Sequence, residues 1–222
     1  MNSNIWLLTF ADAISIATTL ILASLGAIIT ERSGVINLGV EGMLLMGAVT
    51  GFIVADSTGN LWFALFIAMV VGVVLSSIHA ALTVGLRANQ IVSGLAMVIF
   101  GTGLSQFIGK PIEGDPLPVV IRPLELGWLS DLPFVGPVVF GHDLFTYLTW
   151  VAAGGASFYM HRTRPGLLLR ATGDAPATVD AQGGSVAHIR WVHTMVGGAL
   201  MTFAGAWYMF ARAAAWNQAA TT

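Results

Sequence analysis

The chain has 222 residues, of which 56% are hydrophobic and only 9% are charged, and its formal net charge is -2. Soluble domains carry about 25% charged residues, so this composition excludes a water-soluble globular protein and indicates an integral protein of the lipid bilayer. The near-neutral charge predicts no nucleic-acid partner. The absence of cysteine excludes a disulfide framework, a thiolate metal site and a cysteine nucleophile.

Five stretches of the chain approach or exceed the length needed to cross a membrane. A helix needs about 20 mostly apolar residues to cover roughly 30 Å of hydrocarbon at about 1.5 Å per residue. The long stretches without Asp, Glu, Lys or Arg are residues 13–30, 61–86, 88–109, 144–160 and 191–211. They predict an all-α fold, a polytopic bundle of transmembrane helices.

A sixth span is required between the first two of these stretches. Residues 42–55 carry no charge, but as a helix they would be only about 21 Å long, which is too short to cross. The chain must nevertheless recross there for the later loops to alternate between the two sides. We therefore predict about six spans, with a second span that begins near Val35 and includes Glu41.

Arginine and lysine are distributed unequally between the two sides of this topology. The loops at 31–35, 86–88 and 161–190 hold six arginines, whereas the loops at 56–60 and 109–143 and the C-terminal end hold three basic residues. Because positive charge accumulates in cytoplasmic loops, the first set is predicted to be cytoplasmic and the N-terminus to lie outside. The external loop at 109–143 is rich in proline, which predicts an ordered connection without a long helix.

The sequence ERSGVINLGVEG at residues 31–42 places polar groups within an apolar region. Ser33, Asn37 and Glu41 are four residues apart, so on a helix they would share one face. An ionisable residue inside a membrane usually faces the bundle interior and finds a partner. We predict a broken or re-entrant segment whose polar stripe lines a solute pathway. Alternatively, Glu41 pairs with Arg32 or caps a backbone, and the glycines only pack helices.

A few further polar residues fall within predicted spans. Asn89 and Ser93, at the cytoplasmic start of the fourth span, either line the pathway from the opposite side or, for Asn89, cap the helix. His79 and His193 are either proton-relay groups or bonded to a neighbouring carbonyl. We favour the cap for Asn89 and the carbonyl bond for both histidines. Asp12 is expected at the outer membrane interface.

The cytoplasmic loop at 161–190 contains signals for one short helix. Asp174 is suited to the N-cap position, Pro176 to the first turn, and Gly183 with Gly184 to the end. A helix of about two turns is marginal in water by itself, so it must dock on something. It either packs under the chain's own bundle or inserts into a groove of a cytoplasmic partner.

No catalytic signature is present in the sequence. The stretch GLSQFIGK at 103–110 has one residue too many between its glycines for a P-loop and is followed by Pro111. There is no G-x-S-x-G or H-E-x-x-H pattern, and the five histidines lack metal-site spacing. We predict no catalytic residue, no metal site and no cofactor bound by this chain. If the protein's function requires energy, another chain must supply that energy.

Three blocks of the sequence resemble one family of membrane proteins. ERSGVINLGVEGMLLMGA (31–48) is similar to the signature region of permease subunits of bacterial ABC importers. The similarity is to the nucleoside and simple-sugar branch of the superfamily that also holds the ribose and branched-chain amino-acid permeases. RPGLLLRATGDAPATVDAQGGSV (164–186) resembles the family's cytoplasmic loop with its coupling helix, and GGALMTFAGAWYMF (197–210) resembles the following helix.

The resemblance implies a role as a transport subunit rather than an enzyme. Residues 1–222 would form a single transmembrane permease domain in the bacterial inner membrane, with a pathway for a nucleoside or simple sugar. Its partners would be a second permease subunit, identical or homologous, and cytoplasmic ATPase subunits that use ATP and Mg²⁺. A periplasmic or lipoprotein solute-binding protein would deliver the cargo.

The resemblance also assigns residues. The family signature matches Glu31, Arg32, Ser33, Gly34, Asn37, Gly39, Glu41 and Gly42. The ATPase-coupling loop matches Arg170, Gly173, Asp174, Ala181 and Gly183. The chain departs from the family at Thr172 and residues 175–178, which would tune docking to one ATPase. It also departs at its C-terminal end, where family members continue through further spans, so the chain looks C-terminally truncated.

The residues alone leave a second function open. Ionisable groups within the spans are also compatible with a proton-coupled secondary transporter of a small solute, in which Glu41 or His79 would act as the relay.

Overall fold

The computed structural model describes residues 2–116, 119–124, 127–129 and 136–212. Within them the chain forms a bundle of α-helices joined mostly by short turns. The helices are α1 (Asn2–Arg32), α2 (Val40–Thr58), α3 (Leu61–Ala80), α4 (Gln90–Gly109), α5 (Leu144–Arg162), α6 (Arg164–Asp174), α7 (Pro176–Ala181) and α8 (Val186–Arg212). The predicted all-α, polytopic bundle is confirmed.

Among the described residues, five segments are long and apolar enough to cross a membrane. They are Thr9–Arg32, Val40–Thr58, Leu61–Gly85, Gln90–Ile112 and Val186–Arg212. The predicted span at 144–160 is also a helix, α5, but it is less apolar and is not one of these five.

The position of α5 explains why it belongs with the other long helices. Just before it, Nδ1 of His142 lies 3.2 Å from the Ser15 hydroxyl, towards the start of α1. Soon after it, the backbone of Gly173 contacts the carbonyl of Arg32, the last residue of α1. α5 therefore runs parallel to α1 over the same depth, as the six-span topology requires.

The second span begins later than predicted. α2 starts at Val40 rather than near Val35, because residues 33–39 are turned and extended rather than helical. At its other end α2 stops at Gly59, whose φ of 65° is the left-handed conformation that glycine adopts without strain. Asn60 then caps α3 by accepting a hydrogen bond from the Phe63 N–H at 3.1 Å.

The centre of the bundle is α8, which packs against α1, α2 and α3. Its side chains Trp207 and Phe210 are fully buried, and Phe52 of α2 is buried with them. Small residues let the helix backbones touch. A Cβ atom on Gly47 of α2 would collide with the Thr202 backbone of α8. The glycines of the signature region therefore do pack helices, as one of the two interpretations proposed.

The described part of the 109–143 connection has only short turns, at Lys110–Ile112, Gly127–Leu129 and Gly136–Phe140. The prediction of no long helix is confirmed there, while residues 117–118, 125–126 and 130–135 lie outside the described part. Asp143 ends this connection. Its carboxylate accepts from the Phe145 N–H at 2.8 Å and from Trp207 Nε1 at 3.0 Å, so it caps α5 and ties that helix to α8.

Candidate functional site: the break between α1 and α2

The polar segment at residues 33–39, here called the break, begins where α1 ends in a tight turn. The N–H groups of Ser33 and Gly34 donate to the carbonyls of Thr30 and Glu31 at 3.0 and 2.9 Å. Gly34 has a φ of 86°, in the left-handed region where an L side chain would be strained. The chain therefore leaves the helix at the glycine of the ERSG sequence, because only glycine takes this conformation freely.

Asn37 holds the second half of the break. Its Oδ1 accepts from the Gly39 N–H at 2.8 Å, which forms an Asx turn directly before α2 begins. Its amide nitrogen points to the Met43 sulfur at 3.9 Å, and only 1% of the residue is exposed. The asparagine thus supplies backbone bonding that a helix would otherwise provide.

Two neighbouring helices hold the middle of the break through side chains. Gln90, the first residue of α4, accepts from the Ile36 N–H at 2.8 Å and donates to the Gly34 carbonyl at 3.3 Å. His79 of α3 bonds to the Ile36 carbonyl through Nε2 at 3.1 Å and to the Ser93 hydroxyl through Nδ1 at 2.9 Å. The expected carbonyl bond of His79 is confirmed, and both ring nitrogens are engaged.

The predicted polar stripe does not form. Ser33 and Asn37 are buried, whereas Glu41 is exposed on the surface of this chain, so the three residues do not share one face. The prediction was wrong because the four-residue spacing has meaning only on a helix, and residues 33–39 are not helical. Glu41 makes no ion pair with Arg32 within the described residues.

The other candidate polar residues are engaged within the bundle. Oδ1 of Asn89 accepts from the N–H groups of Ile91 and Val92 at 2.9 and 3.2 Å, so the favoured helix cap is confirmed. Ser93 is buried against His79. His193 bonds to the Ile189 carbonyl at 2.7 Å, also as expected. A role for Asn89 or Ser93 in a pathway stays a prediction.

The loop at 161–190 contains one helix more than predicted. α6 starts after Thr163, which caps it by accepting from the Gly166 N–H at 3.1 Å, and Pro165 stands in its first turn. This cap-and-proline signal was available in the sequence. Asp174 is the last residue of α6 and does not cap the next helix, because α6 continues to this point while burying Leu169.

The predicted short helix is α7, Pro176–Ala181. Pro176 lies in its first turn, and Gly183 ends it with a φ of 80°, as predicted. Val179 is 3% exposed and packs on the chain's own bundle, whereas Ala177, Thr178 and Ala181 are exposed. The helix therefore docks through one side chain and presents its other faces outward.

The signature region and the predicted coupling loop meet at the C-terminal end of α1. Glu31 and Arg32 share a cleft with Gly173 and Asp174. A Cβ atom on Gly173 would lie 2.5 Å from the Arg32 carbonyl oxygen, so the two backbones are in direct contact. Of the remaining coupling-loop residues, Arg170 is half-buried, and its Nε has no hydrogen-bond partner within the described residues.

A residue that the sequence did not single out completes this junction. Arg190 of α8 donates from Nε to the Ser33 carbonyl at 3.1 Å and from Nη2 to the Thr172 carbonyl at 3.4 Å. In the sequence it was only one of six arginines on the side predicted to be cytoplasmic. Nothing in its local pattern distinguishes it, because its partners lie 157 and 18 residues away.

Several known proteins similar to this chain are named as permeases. Residues 9–222 match the family described as branched-chain amino acid transport system / permease component. A putative glucose ABC transporter permease protein of Haloferax volcanii is 36% identical over 203 residues, which are 90% of this chain and 62% of that protein. A guanosine ABC transporter permease protein of Bacillus subtilis is 34% identical over 193 residues, 82% of this chain and 60% of that protein.

A third relative, a nucleoside ABC transporter permease protein of Lactococcus lactis, is 30% identical over 212 residues, 89% of this chain and 66% of that protein. The chain thus spans 60–66% of the length of these relatives. No solved structure matches it significantly. The family match covers nearly the whole chain, including the break and the coupling loop. The chain therefore belongs to the family of membrane permease components of the branched-chain amino acid transport type.

Proposed function

We propose that this chain forms part of the membrane pathway of an ABC importer that carries a nucleoside or a simple sugar. Three permeases similar to it in sequence are named for glucose, guanosine and nucleosides. ATP and Mg²⁺ are used by separate cytoplasmic ATPase subunits. A solute-binding protein on the outer side delivers the cargo.

The observation that carries this proposal is the position of α7. It is a six-residue helix at one end of the bundle, anchored by Val179 and exposed on its other faces. An isolated helix of this length is marginal in water, so an outward-facing one is stabilised when a partner covers it. An ATPase subunit is the partner that the family membership supplies.

The arginines near α7 support an orientation of the chain in the membrane. Arg162, Arg164, Arg170 and Arg190 lie on α5, α6 and the start of α8, around the exposed helix. Because cytoplasmic loops collect positive charge, we place α7 in the cytoplasm and the N-terminus outside, in the bacterial inner membrane.

The exposed carboxylate of Glu41 favours the presence of a second permease subunit. It lies in the first turn of α2 and is exposed on this chain. A carboxylate that faced lipid at this position would be costly, by about 2.5–3.5 kcal/mol at the membrane centre. A second permease subunit, identical or homologous, would give this carboxylate a polar surface or a hydrated pathway to face.

Co-purification with the ATPase tests the proposal. The permease complex is expressed with its candidate ATPase, and the double variant Ala177→Asp/Ala181→Asp changes only exposed α7 residues, leaving Val179 in place. We expect the ATPase to be retained by the wild type and lost by the double variant. Retention is measured from the subunit ratio after purification in detergent.

Thr58→Asp provides the matched control, because Thr58 is exposed at the opposite end of the bundle. It should retain the ATPase like the wild type. If neither the wild type nor the control retains an ATPase, the importer proposal fails. Uptake that a protonophore abolishes and ATP depletion leaves intact would then favour a proton-coupled transporter.

A further inference from the structure

We propose that Arg190 is a positioning residue that transmits movement from the ATPase-facing helices α6 and α7 to the break. This inference rests on the proposed function, because it assumes that an ATPase acts on α7. It goes further in naming the bonds through which the force passes.

The guanidinium group of Arg190 bridges two segments that are distant in sequence. Nε donates to the carbonyl of Ser33, in the break, at 3.1 Å. Nη2 donates to the carbonyl of Thr172, in the last turn of α6, at 3.4 Å. Arg190 itself stands in the second turn of α8, the helix at the centre of the bundle. Three elements therefore meet at one side chain.

The bridge between these two backbone carbonyls requires an arginine side chain. Within the described residues Arg190 has no carboxylate partner, and its donors go to two backbone oxygens. Only the planar, forked guanidinium can reach two acceptors in fixed directions, whereas a lysine is a point charge. Hydrogen bonds from a charged donor are also stronger than neutral ones. The bridge fixes the distance between the two backbones as well as joining them.

The backbones under this bridge are in van der Waals contact. A Cβ atom on Gly34 would lie 3.3 Å from the Cα atom of Gly173 and 2.9 Å from Nη2 of Arg190. Neither glycine has a side chain that could act as a soft spacer. A displacement of the end of α6 therefore pushes or pulls directly on the start of the break.

The other side of the break is held by different helices. Gln90 of α4 bonds both Gly34 and Ile36, and His79 of α3 bonds the Ile36 carbonyl. The break thus connects α6 and α8 on one side with α3 and α4 on the other. A movement that enters at Arg190 therefore acts, within four residues of chain, on the bonds that hold the break to α3 and α4.

Distance measurements between spin labels test this inference on the assembled complex. The chain has no native cysteine, so labels attach only at introduced sites. One pair, Leu38→Cys with Leu168→Cys, reports the distance between the break and α6. The other, Leu38→Cys with Trp62→Cys, reports the break against the far end of α3. All three positions are exposed.

In the wild type, trapping with ATP and vanadate should shift the Leu38–Trp62 distance and leave the Leu38–Leu168 distance unchanged. In Arg190→Gln, the shifted population should fall about tenfold, the effect of losing hydrogen bonds to a charged donor. The Leu38–Leu168 distribution should broaden even without nucleotide. ATPase binding and ATP hydrolysis should persist, which a simple loss of folding would not allow.

Arg162→Gln is the matched control, since it removes an exposed arginine at the end of α5; it should behave as wild type. Arg190→Lys keeps the charge without the fork, and it should also lose the shift. It carries the test if Arg190→Gln does not fold. A full shift in Arg190→Gln or Arg190→Lys, with the ATPase bound, overturns this inference alone. If the wild type retains no ATPase, the proposed function fails first.

Discussion

The two ends of the bundle are closed by different kinds of bond. At the end that we propose to be the outer one, the carboxylate of Asp143 is buried, caps α5 and accepts from the indole of Trp207. At the opposite end, which we propose to be the inner one, Arg190 and Gln90 bond to backbone atoms of a segment that has no regular structure. The outer end joins two complete helices, whereas the inner end shapes a loop. The first arrangement favours rigidity, and the second leaves a segment whose shape depends on its neighbours.

Removing the outer carboxylate should have the largest effect on stability. Asp143→Ala deletes a helix cap and leaves the buried Trp207 N–H without its acceptor, so we expect the free energy of unfolding to fall by about 2–4 kcal/mol. Thermal unfolding in detergent, followed by tryptophan fluorescence, measures the loss. Asp143→Asn keeps an acceptor oxygen and should lose less than half as much. Equal losses would show that the two bonds contribute little.

A methyl group at Gly34 should be the next most damaging change. Gly34→Ala forces an L residue to a φ of 86° and brings its Cβ to 2.9 Å from Arg190. We expect a loss of about 1–3 kcal/mol in the free energy of unfolding. Gly154→Ala is the control, since a Cβ there meets nothing within 4 Å. If both variants unfold at the same temperature, a side chain at position 34 does not strain the backbone of the break.

Local opening of the break can be separated from stability of the whole bundle. Gln90→Glu keeps an acceptor for the Ile36 N–H but loses the donor to the Gly34 carbonyl. Because one hydrogen bond contributes about 1 kcal/mol, amide exchange in residues 33–39 should quicken by roughly a factor of five. Residues 143–149 should exchange as in the wild type. Faster exchange at both ends would argue against an independent inner segment.

The smallest effect is expected from the ion pair between Asp12 and Arg212, whose side chains are 66% and 25% exposed. Exposed pairs contribute about 0–1 kcal/mol and are screened by salt. Asp12→Asn should therefore lower the unfolding temperature slightly at low salt and not at high salt. A difference that persists at high salt would mean that the pair is structurally more important than its exposure indicates.

The long helices were predictable because apolar composition alone determines them. The predicted span at 61–86 ends one residue beyond α3 with its following turn, and the predicted span at 88–109 begins two residues before α4; their other ends coincide. The cap at Asn89, the proline in the first turn of α7 and Gly183 after the end of that helix were also predictable, since each acts within its own turn of chain. Local chemistry gives local structure.

The break was predictable as a position but not as a geometry. The glycines and polar residues of ERSGVINLGVEG indicated where the helix would fail. The face shared by Ser33, Asn37 and Glu41 was wrong because it assumed helical spacing across that failure. The bonds from His79, Gln90 and Arg190 join residues 43–157 positions apart. No periodicity or short motif carries such information.

The bonding of the break has a consequence for how such a chain can vary. Asn37 is the only side chain of residues 33–39 that bonds a backbone N–H within the segment, and the other side-chain bonds to its backbone come from His79, Gln90 and Arg190. The conformation of the break therefore depends partly on residues outside residues 33–39. A single substitution on α3, α4 or α8 can readjust the segment while every residue of ERSGVINLGVEG stays the same.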